Sequence, residues 1–313
     1  MSRAQTTPYL LMVRPAQFGF NAETAENNAF QSKDQQLTAA QIREKAIEEF
    51  DEFVAKLRAV GVEVVVAEDT PEPAKPDAVF PNNWVSFHQE GHIITYPMFA
   101  PTRRQERSDT ILETVLHAGF QSTGTRWHLE QEEANNHFLE GTGSIIFDHS
   151  NRLAYACLSP RTDAELLTKL CDYLGYQAVV FHSVDAAGQA VYHTNVMMAI
   201  GESFVVICLE SVRQPEEKEM LRNLFTKTNK EVIEISLEQM NSFAGNMLQV
   251  RNKKEETFLV MSETAYHSLT QSQLERLRSH TKLLYSALPT IERYGGGSAR
   301  CMLAEIFLPK KSN

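Results

Sequence analysis

Five groups of chemically capable residues recur along the chain at steps of 53 to 57 residues, centred on Asn83, Glu140, His193, Asn246 and Cys301. Each follows a helix-like stretch and a short strand-like one, the helix-like stretches ending near Val60, Ala118, Leu174, Thr228 and Thr281. A period of this kind marks one supersecondary unit used five times. Five such units turn equivalent edges towards a common centre, which brings residues remote in sequence into one site.

The repeated pattern is explicit in the residues. After Thr38, a helix N-cap, Ile42, Ala46, Ile47, Phe50, Val54 and Leu57 recur at helical spacing up to Gly61, and Val62–Val66 reads as a strand. Helices are likewise expected over Ser108–Ala118, Pro160–Leu174, Pro215–Thr228 and Thr270–Lys282, three of them followed by Gly119, Gly175 or Asn229. Gly or Asn there accepts the left-handed conformation that closes a helix. Further apolar runs at Ile93–Tyr96, Ser144–Phe147, Phe204–Cys208 and Phe258–Met261 add strands to each unit. The unit is therefore one helix with several strands of mixed direction. A doubly wound sheet would need a Gly-rich phosphate loop after its first strand, and none occurs. The expectation is one α/β propeller of five blades with outer helices, a single catalytic domain over residues 1–313. The segment Asp69–Pro76 is short enough to be a loop within one unit.

Composition narrows the function class. With 42% apolar and 22% charged residues the chain is an ordinary globular protein, and a net charge of −10 disfavours nucleic acid or an anionic membrane as partner. No apolar run is long enough for a secretory signal or a membrane span. Four cysteines without CxxC spacing are too sparse for a disulfide scaffold, so a cytoplasmic setting is expected. Cys157, Cys171 and Cys208 lie in apolar runs and read as buried hydrophobes.

Cys301 differs, because it follows Tyr294-Gly-Gly-Gly-Ser-Ala-Arg300 at an expected loop-to-strand junction. Glycines allow close backbone approach, and Arg300 with a nearby His would favour a nucleophilic thiolate. His193 sits in a polar break, Val191-Tyr-His-Thr-Asn195, before an apolar run, and Glu140 precedes the small residues Gly141-Thr-Gly-Ser144. Taken singly, each reads as a core thiol, a structural histidine or a turn acid. Their shared phase within a repeat is what those readings leave unexplained.

Together these residues resemble the guanidine-modifying superfamily of arginine deiminases, dimethylarginine hydrolases and amidinotransferases, from Met12-Val-Arg-Pro15 to Leu308. Asp77-x-x-Phe80-x-Asn82-Asn83 resembles its first acidic substrate motif. Ile94–Glu106, with Arg103, and Leu158-Ser-Pro-Arg161-Thr162 resemble its two carboxylate-binding arginine motifs. Leu139-Glu140-Gly141, His193 and Cys301 match its catalytic motifs. The resemblance implies a five-bladed propeller with a Cys-His-Glu site and no metal or organic cofactor. Substrate contacts are expected from Asp77, Phe80, Asn82, Asn83, Asn195, Arg103 and Arg161.

Two positions depart from the deiminase pattern: Asn83 and Asn195 stand where two aspartates clamp a guanidinium. A guanidinium offers only N–H donors and keeps its charge, so amides suit it poorly and a neutral ureido group better. With Phe18-Gly-Phe-Asn21-Ala-Glu23 through Gln31 and Pro81–Trp84, this resembles the citrulline-hydrolysing branch, and the amino-terminal phrase is expected to form a flap or binding loop. The implied reaction has Cys301 attack the ureido carbon and His193 transfer protons. Glu140 would orient substrate nitrogens, Arg103 and Arg161 would fork onto the α-carboxylate, and ornithine, ammonia and carbon dioxide would be released. Hydrolysis of arginine or methylarginine, amidino transfer, and a non-catalytic amino-acid-binding module are the competing readings. The partner expected is a small amino acid, and homo-oligomerisation is left open. Asn246 completes the series without an evident chemical duty.

Overall fold

The structure, a computed structural model, describes residues 3–26, 28, 30–31 and 37–311. Asn27 and Ala29, within the amino-terminal phrase, lie outside the described residues. Fifteen strands are present among those described: β1 (Tyr9–Arg14), β2 (Glu63–Glu68), β3 (Val85–Phe87), β4 (Ile93–Thr95), β5 (Arg126–His128), β6 (Ile146–Asp148), β7 (Leu153–Cys157), β8 (Gln177–Phe181), β9 (Met198–Ile200), β10 (Phe204–Ile207), β11 (Glu231–Glu234), β12 (Leu248–Arg251), β13 (Thr257–Ser262), β14 (Lys282–Ser286) and β15 (Ala304–Glu305). They form five sheets of three strands each, ordered β15-β1-β2, β3-β4-β5, β6-β7-β8, β9-β10-β11 and β12-β13-β14.

All five sheets share one grammar. The middle strand pairs antiparallel with the short first strand and parallel with the third. A parallel pair needs a crossover, and in each unit the long helix supplies it. These helices are Ala39–Ala59, Asp109–His117, Ala164–Leu174, Pro215–Lys227 and Gln271–His280. In the first, Thr38 and Gln41 form a capping box, and Ile42, Ala46, Phe50, Phe53, Val54 and Leu57 are buried along one stripe. Middle strands such as β7 are buried at every residue, which is why they read as continuous apolar runs rather than alternating ones.

Gly61, Gly119, Gly175 and Asn229 take positive φ values just past their helices, as expected. The third helix starts at Ala164 rather than Pro160, because the Asp163 side chain caps it by accepting from the Leu166 N–H. Residues 159–162 instead form a turn, with the Thr162 N–H donating to Ser159 O, and that turn presents Arg161. Asp69–Pro76 is a loop within the first unit, tied by Lys75 Nζ to Asp69 at 3.1 Å with both side chains buried. All four cysteines are free and buried. Among the described residues, no helix is long and apolar enough to cross a membrane.

The first sheet is assembled from both ends of the described chain. Leu10 and Leu11 of β1 pair with Glu305 and Ala304 of β15, and the Ile306 N–H donates to Tyr9 O at 2.9 Å. Ile306 also bridges to Phe87 of β3, so the last strand joins the first sheet to the second. Contacts of β6 with β9 and of β9 with β12 link later sheets through their short strands. Ile306 is fully buried. Ile306→Ala is expected to cost about 2–5 kcal/mol, typical of a buried aliphatic truncation, measured as a fall in the urea midpoint. A loss below about 1 kcal/mol would show that β15 contributes little to holding the sheets together.

Candidate active site

Each of the five repeating groups lies directly before the short first strand of its sheet, which gives the period its physical meaning. Asn83 ends the 3₁₀ turn Pro81–Asn83 before β3, and Glu140 precedes the one-turn helix Gly141–Ser144 before β6. His193 precedes the one-turn helix Thr194–Met197 before β9, and Asn246 follows a turn at Phe243 before β12. Cys301 lies in the 3₁₀ turn Ala299–Met302 before β15, a helical turn where a plain loop-to-strand junction was expected. The turn bearing Cys301 contacts that bearing Asn83, which contacts the helix after Glu140, which contacts the helix after His193. Asn246 bridges the remaining gap: its Nδ2 donates to Asn195 O at 3.0 Å, and its Oδ1 accepts from the Arg300 N–H at 3.0 Å.

The closeness of these turns depends on one small residue. A Cβ added at Gly143 would lie 2.8 Å from the His193 ring and would collide with Asn83 Nδ2. Only glycine lets the three segments meet at that point.

A small cavity opens among Asp77, Phe80, Asn83, Arg103, Arg161, Tyr192, His193, Cys301, Thr24, Asn28 and Gly295–Gly297. Of the residues expected from sequence, Asp77, Phe80, Asn83, Arg103, Arg161, His193 and Cys301 line it. Asn82, Glu140 and Asn195 do not line it, although all three are fully buried. Tyr192, Thr24 and Asn28 are lining residues that sequence reading did not single out. Tyr192 stands beside His193 in the polar break, the one local signal it carries. Its hydroxyl donates to Gly296 O at 2.8 Å, and its ring lies 5.0 Å beneath the Arg161 guanidinium.

His193 Nε2 lies 2.7 Å from Glu140 Oε2, and Glu140 Oε1 accepts the Phe99 N–H at 2.9 Å. Burial pushes the Glu140 carboxyl up, but Arg161, whose Nη1 is 3.6 Å away, together with His193 and Arg103 brings it down to about 2. Glu140 is thus an anion that only accepts. His193 must carry its proton on Nε2, which leaves Nδ1 as the lone-pair nitrogen. Burial lowers the imidazole to about 4 despite the pull of Glu140, so His193 is neutral near pH 7.

Arg103 is committed within the protein. Its Nε and Nη2 fork onto Glu106 at 2.8 and 2.9 Å, and its Nη1 donates to Asn83 Oδ1 at 2.8 Å. The fork expected to meet a substrate carboxylate is therefore filled by Glu106, a partner the sequence reading did not assign. Arg161 donates from Nη2 to Thr24 O at 3.1 Å. With its Oδ1 taken by Arg103, the Asn83 amide leaves its Nδ2 buried beside Gly143 and without a hydrogen-bond partner. Asp77 accepts from Asn21 Nδ2 at 2.8 Å through Oδ2, its Oδ1 has no partner, and burial pushes its carboxyl upward.

Behind the cavity, Asn195 Nδ2 lies 3.4 Å and Asn246 Nδ2 3.2 Å from Cys301 Sγ. Asn195 thus faces the thiol rather than the cavity. Arg300, expected to favour a thiolate through its charge, turns its guanidinium away to Leu303 O and Glu305. Of the described residues of the amino-terminal phrase, Thr24 and Asn28 line the cavity. Asn21 holds Asp77, Glu23 accepts from Thr102, and Gln31 Nε2 donates to Gly295 O at 3.1 Å. Among the described residues, no group of three or more His, Cys, Asp or Glu side chains is arranged to hold a metal ion.

Comparison with known proteins places this chain in a family. A search of curated protein sequences returns no match. Among solved structures, the apo form of ArgZ, an arginine dihydrolase from the ornithine-ammonia cycle in cyanobacteria, superposes with a TM-score of 0.74 at 16% identity. That match covers 97% of this chain but 41% of ArgZ, so the chain spans well under half of that protein. The N-terminal domain of ArgZ, as a cysteine-to-serine variant bound to substrate, gives 0.73 at 16% identity and covers 96% of this chain and 99% of the domain. A cysteine-to-serine variant of DDAH from Pseudomonas aeruginosa complexed with citrulline gives 0.67 at 18% identity, covering 96% and 99%. These identities establish a common fold. The sequence model of eukaryotic N,N dimethylarginine dimethylhydrolase matches residues 14–308, nearly the whole chain. The chain belongs to that family, within the guanidine-modifying superfamily.

Proposed function

We propose that the chain is a cysteine-dependent hydrolase acting on the ureido group of citrulline, giving ornithine, ammonia and carbon dioxide. The five sheets would close as the blades of a single propeller domain, with the five turns at its centre. The observation that carries the substrate choice is the orientation of Asn83. Arg103 occupies its oxygen, so the atom offered to a ligand is an N–H donor. A guanidinium, which has only donors, would oppose that group, whereas a ureido C=O would accept from it. Leaving a buried donor unpaired costs about 1–3 kcal/mol.

In this reading Cys301 attacks the ureido carbon after passing its proton to His193 Nδ1. The imidazolium so formed is stabilised by Glu140 and protonates the departing nitrogen. Water then attacks the thiocarbamate, with the returned imidazole as base, and one water per citrulline balances the reaction. Asn83 Nδ2 holds the oxygen on which charge develops. Arg161 would bind the α-carboxylate beside Tyr192, while Arg103 sets Asn83 rather than gripping substrate. Glu140 serves by orienting His193, since neither of its oxygens is offered to the cavity.

A guanidino substrate is the second reading, favoured by Asp77, whose unpartnered Oδ1 gives the same cavity a carboxylate acceptor. Product analysis separates the two. Ornithine released from citrulline supports the proposal, and conversion of arginine or methylarginine to citrulline with citrulline left untouched overturns it.

Asn83→Asp replaces the donor with a charged acceptor. It should lower kcat/KM for citrulline by about 10- to 100-fold, the scale of a lost charge-assisted contact, and strengthen arginine binding. Unchanged citrulline kinetics would refute the role of the amide. The pH profile tests His193. With the imidazole held near 4 rather than the ordinary 6.5, the acid limb of kcat/KM should fall near pH 4 to 5. A limb centred at 6.5 would show that the resting base is not the buried neutral imidazole. For stability, the depressed value means that the contribution of neutral His193 is intact above 6.5 and is lost as pH falls towards about 4. Rates should therefore be taken at short times with the fold monitored.

A further inference from the structure

We propose that Asn246 is a catalytic residue of this site, its amide N–H stabilising the Cys301 thiolate together with that of Asn195. This rests on the reading of Cys301 as nucleophile and goes beyond it by naming what holds the anion. A thiolate buried among apolar groups needs a partner. The expected partner, Arg300, spends its guanidinium on Leu303 O and Glu305. His193, the other candidate, is neutral and aims its only N–H at Glu140. Among the described residues, two side-chain amides lie within hydrogen-bond reach of Sγ, at 3.2 Å for Asn246 Nδ2 and 3.4 Å for Asn195 Nδ2.

The orientation of Asn246 is fixed by its own bonds. Oδ1 accepts from the Arg300 N–H at 3.0 Å, which leaves the two hydrogens of Nδ2 to serve Asn195 O and Sγ. A flipped amide would put oxygen against both a carbonyl and the sulfur. The residue is 1% exposed, so water does not compete for those donors. The supporting loop is built for closeness, since a Cβ at Gly245 would lie 2.8 Å from the carbonyl carbons of Val196 and Met197. Glycine there lets the chain carrying Asn246 press against the segment that follows Asn195. The arrangement is an anion hole for sulfur made of neutral donors. It stabilises the thiolate that is left when the Cys301 proton passes to His193.

The test reads the thiol without any substrate, so its failure is separate from failure of the citrulline assignment. Iodoacetamide alkylation of Cys301, followed site by site by peptide mass spectrometry over a pH series, reports the thiolate fraction in folded protein. Asn246→Ala should move the midpoint of that curve up by one pH unit or more and slow alkylation at pH 7 at least tenfold. Asn246→Asp keeps the shape and the acceptor for the Arg300 N–H but removes the donor and adds an anion, so it should move the midpoint further. It also serves if the alanine variant fails to fold. Asn195→Ala should move the midpoint in the same direction, and kcat should fall in all three with KM changed less. A midpoint in folded Asn246→Ala or Asn246→Asp within a few tenths of a pH unit of the wild-type protein would overturn the proposal and leave Asn246 as a structural tie between loops.

Discussion

The site exists because β15 pairs with β1. That short antiparallel contact brings the turn carrying Cys301 against the turn carrying Asn83, more than two hundred positions earlier in the chain. Ile306 extends the same junction into the second sheet through Phe87. With the ends joined, the other turns have one place to meet, and Gly143 and Gly245 remove the side-chain atoms that would keep them apart. The helices act at one remove. They supply the crossovers that make each third strand parallel, and they cover the outer apolar stripe.

Within the site, charge is used sparingly and is paired off early. Glu106 neutralises Arg103, Glu140 is held by Arg161 and His193, and Arg300 is answered by Glu305. What faces the sulfur and one wall of the cavity is a set of amides whose orientation is dictated by these pairs. Arg103 is the clearest case. Its charge does not reach a ligand directly but decides which end of Asn83 a ligand would meet. Asp77, beside the same Arg103 guanidinium, keeps an unpartnered carboxylate oxygen among the residues that line the cavity.

Much of this was legible in the sequence because it depends on local signals. Thr38 and the glycines at 61, 119 and 175 mark helix ends through backbone chemistry that needs no tertiary context. The period of the five chemical groups was readable because each sits at the same place before a short first strand. What sequence could not convey is which long-range partner claims a given donor. Arg103 read as a carboxylate clamp, since nothing in a linear motif shows that Glu106, one helical turn on, folds back into its fork. Asn195 read as a cavity residue, although it faces the sulfur from behind. Asn246 had no evident duty for the same reason, because its partners come from two other turns. The beginning of the third helix was misplaced by a proline that belongs to the turn presenting Arg161.

The central claim is that the Cys301 sulfur bonds to the carbon of a ureido group. It is tested most directly by mixing the protein with citrulline isotopically labelled at the ureido carbon, quenching in acid within one turnover, and sequencing the peptides by mass spectrometry. The account predicts label on Cys301, absent in Cys301→Ser and absent when the His193 proton shuttle is removed. Turnover of citrulline without label on Cys301, or label acquired only from arginine carrying the isotope at its guanidino carbon, would contradict it.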